Sequence, residues 1–157
     1  HPVKGADMAK VILRRLKFDN DTTDRVCRLV RYHDDRPELN ARTVRRAMNR
    51  IGVENMPALF AVKRADTLGQ SMYHRQEKLA YVDTFERFFQ EICAAQQCVQ
   101  KKDLAISGSD LIAMGMKPGK EIGAVLNELF ERVLDDPELN QRDKLLDIAH
   151  NLMTRLI

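Results

Sequence analysis

Arg42, Arg45, Arg46 and Arg50 fall at i, i+3, i+4 and i+8, so a helix through them sets four guanidiniums on one face. Planar guanidiniums grip phosphate oxygens bidentately, which makes such a face a candidate binder of a nucleic-acid backbone. Arg14, Arg15 and Lys17, and then Arg25, Arg28 and Arg31, form comparable clusters upstream. A solvated helix face is the alternative for any one cluster; their succession without matching acids favours a polyanionic partner. The Arg42 segment holds no aromatic side chain to stack on a base. Recognition of an RNA helix by shape and backbone is therefore expected there.

His1, His33 and Asp66 offer two imidazoles and a carboxylate, ligand types that suit a divalent metal. They lie far apart in sequence, so only the tertiary fold could bring them together. The competing reading pairs Asp66 with a neighbouring base and sets His33 at a helix end, where a cation is favoured. The turn Gly115-Met116-Lys117-Pro118-Gly119-Lys120 is a third candidate, because glycines admit a phosphate to backbone N–H groups and Lys117 and Lys120 add charge. A plain helix–helix connector that needs Gly and Pro for its geometry stands equally beside it. The one D-x-D, Asp19-Asn20-Asp21, falls in a helix-capping turn, not on the sheet that a two-metal nucleotidyl-transfer site requires. No P-loop, G-x-S-x-G elbow or H-E-x-x-H helix is present.

The elements that must position these residues are helices. No stretch alternates apolar and polar residues with period 2, and helical periodicity runs nearly throughout, so the expected class is all-α. Met8, Val11, Ile12 and Leu16 give a first apolar stripe. Val26, Leu29 and Val30 give a second, with Asp21 as the expected cap. Asn40 caps a third helix carrying Val44, Met48 and Ile51 and closed by Gly52, and a fourth runs from about Glu54 to Thr67. His74 to Lys101 contains neither Gly nor Pro, and its apolar face predicts one long helix of about 40 Å. Ser107 or Ser109 caps the next helix. After the Gly115–Lys120 turn, Ile122, Val125, Leu126, Leu129, Phe130, Val133 and Leu134 mark a buried face that ends at Asp135-Asp136-Pro137.

At 157 residues and 44% hydrophobic, the chain can bury a substantial core without disulfides. Cys27, Cys93 and Cys98 show no C-x-x-C spacing, which fits a reducing, cytoplasmic setting. No apolar run approaches the roughly 20 residues that cross a bilayer, so no membrane role is expected. The net charge of +3 is unevenly spread: residues 1–66 hold 15 Lys/Arg against 9 Asp/Glu, and the remainder 11 against 14. A basic first half suits a polyanion. The chain opens at His1 and enters a helical pattern within a few residues, as an excised piece of a longer protein would.

Residues 103–149, DLAISGSDLIAMGMKPGKEIGAVLNELFERVLDDPELNQRDKLLDIA, closely resemble the C-terminal tail of bacterial CCA-adding enzymes, the tRNA nucleotidyltransferases and their poly(A) polymerase relatives. The segments HPVKGADMAKVILRRL, LVRYHDDRPE and VKRADTLGQ, which hold His1, His33 and Asp66, look like the later half of an HD-type phosphohydrolase domain. Many CCA-adding enzymes carry such a domain behind their catalytic head. In that match His33 corresponds to a downstream histidine. The name-giving His-Asp pair would precede His1, which leaves the metal site short of about half its ligands.

The resemblance implies an HD-like, tRNA-binding body over residues 1–72, a connecting helix over 73–102 and a helical tail over 103–157. Its partners would be the acceptor stem and elbow of tRNA and an N-terminal catalytic head outside this chain. The parent would add cytidine and adenosine to tRNA 3′ ends with CTP, ATP and Mg2+. The alternatives are a metal-dependent HD phosphohydrolase, with His1, His33 and Asp66 converging on a metal, and a structural or homodimer-forming region whose apolar tail faces another chain.

Overall fold

The structure, a computed structural model, describes residues 2–155. Among them are eight α-helices and no strand: α1 (Pro2–Arg15), α2 (Asn20–Tyr32), α3 (Ala41–Ile51), α4 (Met56–Gly69), α5 (Arg75–Ala94), α6 (Gly108–Ala113), α7 (Lys120–Asp135) and α8 (Arg142–Arg155). The chain divides into two compact units, residues 1–92 and 93–157.

Local chemistry sets most helix ends. Asp19 opens α2 by accepting from the Thr22 backbone N–H at 2.8 Å and the Thr22 hydroxyl at 2.7 Å. The cap is therefore Asp19, and the expected Asp21 lies in the first turn, where a carboxylate favours the helix dipole. Asn40 and Thr43 form a reciprocal capping box for α3, which closes at Gly52 with φ +96°. Pro57 stands in the first turn of α4, where its missing N–H costs nothing. The long helix expected over 73–102 is shorter. It stops at Ala94, about 30 Å from its start. Gln96 takes φ +49° and its N–H bonds to the Cys93 carbonyl at 3.0 Å, which turns the chain out of the helix. Cys98 then joins the core of the second unit.

In the first unit the expected α3 stripe of Val44, Met48 and Ile51 is fully buried, as are Met56, Leu59 and Phe60 of α4 and Phe85 of α5. Phe60 meets Phe85 and Phe89 edge-on, with centroids 5.3 and 5.6 Å apart. Helix α1 behaves differently. It packs on α2 through small residues: Ala6 is buried, and a Cβ placed on Gly5 would lie 3.3 Å from Val30 Cγ1. That close approach leaves the larger residues outside, with Met8 64% and Val11 69% exposed and Ile12 and Leu16 also uncovered. The first apolar stripe is thus a surface in this chain.

The second unit has its own core of Ile106, Leu111, Val125, Leu129, Phe130, Val133, Leu134, Leu145 and Ala149 around Cys98, with Ile122 and Leu126 packed at its edge. The α7 face marked out by periodicity is the centre of that core. Ser107 caps α6: its hydroxyl and backbone N–H both bond the Asp110 carboxylate, at 2.9 and 2.7 Å.

Candidate nucleic-acid interface

The loop between α2 and α3 is tied down from three sides. Lys63 of α4, only 5% exposed, donates to the His33 carbonyl at 2.8 Å and the Asp35 carbonyl at 2.5 Å. The Tyr81 hydroxyl of α5 donates to the Pro37 carbonyl at 2.6 Å, and burial pushes its pKa up to about 12. Arg50 of α3 pairs with Asp35 at 2.5 Å. Desolvation lowers the Lys63 pKa to about 8, against the opposing pull of Asp35, Asp34 and Asp66. Sequence reasoning passed over Lys63, although it sits at i+4 from Leu59 and i+3 from Phe60, on the buried face of α4.

His33 and Asp66 do come together. Both line a cavity of about 20 Å³ with Lys63. His33 Nδ1 lies 2.6 Å from the Val30 carbonyl, which can only accept, so that nitrogen carries a proton. Asp66 accepts from the Gln70 amide at 2.6 Å. The buried Lys63 ammonium already supplies a cation beside these groups. Among the described residues no three His, Cys, Asp or Glu side chains are arranged to hold a metal ion. His1, the other expected ligand, lies outside the described residues. His33 stands at the C-terminal end of α2, and the Asp66 carboxylate lies near enough to Lys63 to oppose the lowering of its pKa.

The four arginines of α3 do not form one exposed row. Arg45 is 4% exposed, because it stands about 60° around the helix from Met48 and is drawn in at the edge of the buried face. Arg46 is half-buried, while Arg42 and Arg50 are exposed. Arg50 also lies over the Tyr32 ring, 5.4 Å from its centroid.

Beside Arg50 a cleft of about 380 Å³ opens between α1, α2 and the end of α3. Lys10 lines it from α1, and Arg28, Arg31 and Tyr32 from α2. Arg28 is steadied by donating to the Ile51 carbonyl at 3.2 Å. Two clusters that are separate in sequence, Arg28/Arg31 and Arg50, therefore share one cavity with Lys10 and Tyr32, which sequence reasoning did not single out. Position 10 carries a signal only in retrospect, since its relation to α2 depends on how α1 is rotated.

In the second unit, Lys117 and Lys120 are exposed on the turn before α7. Gly119 is the N-cap and supplies no side-chain hydrogen bond to the first turn. The positive end of α7 thus lies open beside two ammonium groups, with Glu121 as the opposing charge. Gly115, at φ +100°, is the position in this turn that needs glycine.

Two helical units, one with a cationic cleft, define an all-α module over the described residues. The chain belongs to the family described as tRNA nucleotidyltransferase domain 2, whose model matches residues 3–149. It is 38% identical over 73 residues to a CCA-adding enzyme of Lacticaseibacillus paracasei, an alignment covering 46% of this chain and 18% of that protein. It is 28% identical over 136 residues to a CC-adding tRNA nucleotidyltransferase of Thermus thermophilus, covering 83% of this chain and 28% of that protein. The chain thus spans under a third of the length of either relative. No solved structure matches it significantly.

Proposed function

We propose that this chain is the tRNA-holding body and tail of a CCA-adding tRNA nucleotidyltransferase. The carrying observation is the family match over residues 3–149, which takes in both the basic first unit and the tail. On this reading the unit over residues 1–92 and the turn at Lys117–Lys120 bind phosphate and sugar of the acceptor stem and elbow. Such contacts fix the register of the RNA and carry no sequence information themselves. Nucleotide addition, with CTP, ATP and Mg2+, belongs to a catalytic head elsewhere in a longer protein. The choice between CCA and partial addition resides in that head.

Fluorescence-anisotropy titration of a labelled tRNA acceptor minihelix, at low and moderate salt and with a DNA duplex of equal length as competitor, tests the reading. Saturable, salt-sensitive binding that prefers the minihelix and weakens in Arg42→Ala/Arg46→Ala is expected. Equal affinity for the DNA duplex, or no binding at low salt, overturns it.

A further inference from the structure

We propose that the cleft between α1, α2 and α3 is a nucleotide-binding site for RNA, taking one backbone phosphate between Lys10, Arg28 and Arg31 with its nucleoside against Tyr32. The inference rests on the RNA-binding reading above and narrows it to a location that the exposed face of α3 does not predict.

Shape and charge both point there. The cleft volume, about 380 Å³, lies within the range of roughly 300–1,000 Å³ typical of small-ligand sites. Four cations line it, Lys10, Arg28, Arg31 and Arg50, against two carboxylates, Asp7 and Asp24, and with Arg50 already paired to Asp35 the excess is +1. That excess suits a singly charged phosphodiester. The cations also differ in freedom. Arg28 is held by the Ile51 carbonyl and Arg50 by Asp35, so part of the ordering cost of binding is already met. Lys10 and Arg31 are exposed at the rim. Tyr32 presents an aromatic ring with the Arg50 guanidinium already held over it, a pairing to which a base or ribose can add. The aromatic residue missing from α3 is thus supplied by α2.

Both a free nucleotide and an RNA backbone carry this chemistry, and the test separates them. The minihelix titration is run on the wild-type chain, on Lys10→Ala/Arg31→Ala and on Arg42→Ala/Arg46→Ala, with adenosine monophosphate as competitor. Lys10 and Arg31 are exposed, and matching circular-dichroism melts establish that the first variant is folded. The expected result is about tenfold weaker minihelix binding by Lys10→Ala/Arg31→Ala, and a log–log salt slope shallower by about 1 for the one phosphate no longer neutralised. Adenosine monophosphate should compete only weakly.

If that variant binds as wild type while Arg42→Ala/Arg46→Ala is impaired, the cleft proposal falls and the RNA-holding reading stands. Full displacement by micromolar adenosine monophosphate makes the cleft a free-nucleotide site and overturns the RNA assignment. Failure of the wild-type chain to bind the minihelix overturns both. Cys27 lines the same cleft, so its alkylation rate gives a second reading of occupancy. Protection by the minihelix, lost in Lys10→Ala/Arg31→Ala, is expected; unchanged alkylation of Cys27 in the saturated complex counts against the cleft.

Discussion

The Lys63 ammonium of α4 lies 2.8 Å from the His33 carbonyl at the end of α2, so a buried cation from another helix completes an end that the His33 ring caps only at the Val30 carbonyl. It serves the Asp35 carbonyl as well. Burying an ammonium is unfavourable, and desolvation, joined by the nearby Arg36, lowers its pKa despite the surrounding carboxylates.

The sign of the pH effect follows. With a folded pKa of about 8 against an ordinary 10.5, the unfolded chain binds more protons in that window, so Lys63 makes stability rise with pH from about 8 upward. The raised pKa values of Cys98 and Tyr81 act oppositely, from their ordinary values of 9.0 and 10.0. Subtracting a variant isolates the lysine. Lys63→Met should cost about 1–3 kcal/mol at pH 7 through the orphaned carbonyls. The stability gap to wild type should widen between pH 8 and 9.5 in urea melts; a constant gap would show that Lys63 does not titrate there.

Asp110 has the reverse linkage. Hydrogen bonds from Ser107 and a 2.7 Å pair with Arg142 hold its pKa at about 2, below the ordinary 3.8. Its stabilisation is complete above about pH 4 and lost as pH falls towards 2. In acid titrations followed by circular dichroism, Asp110→Asn should flatten the wild-type loss of stability across that window, and should be the less stable protein at pH 6.

Two glycines should respond unequally to alanine. Gly52 (φ +96°) would place a Cβ 2.5 Å from Glu54 Oε1 and 2.9 Å from Asn55 Nδ2, and Asn55 is held by a bond to the Ile51 carbonyl. Gly115 (φ +100°) would meet nothing within 4 Å. Gly115→Ala should cost about 1 kcal/mol from backbone conformation alone, and Gly52→Ala about 2 or more. Equal costs in denaturant melts would mean that the Gly52 neighbours yield freely.

Helix α1 offers a check on which apolar residues support the fold of this chain. Val11, 69% exposed, should accept lysine within about 0.5 kcal/mol, whereas Leu59→Ala in the core should cost about 2–5 kcal/mol. A large loss from Val11→Lys would reveal a contact that covers α1.

What the sequence determined by itself was local. Helical period, the caps at Asn40 and Ser107, the closing Gly52 and the buried face of α7 each depend on residues within a turn or two of one another, so spacing and side-chain type suffice to read them. The tail motif was legible for the same reason, and the family match over residues 3–149 bears out the family it resembled.

Tertiary structure decided the rest. Four arginines at helical spacing span an arc of the α3 surface, and only the position of the core tells that Arg45 falls at its buried edge. The stripe of α1 has the period of a core face, yet close approach through Gly5 and Ala6 turns it outward. Gln96 ends a helix with neither Gly nor Pro to announce it, because the buried place taken by Cys98 outweighs local propensity. Lys10, Arg31 and Arg50 became neighbours only when three helices met, since burial and charge convergence depend on distance in space and not along the chain.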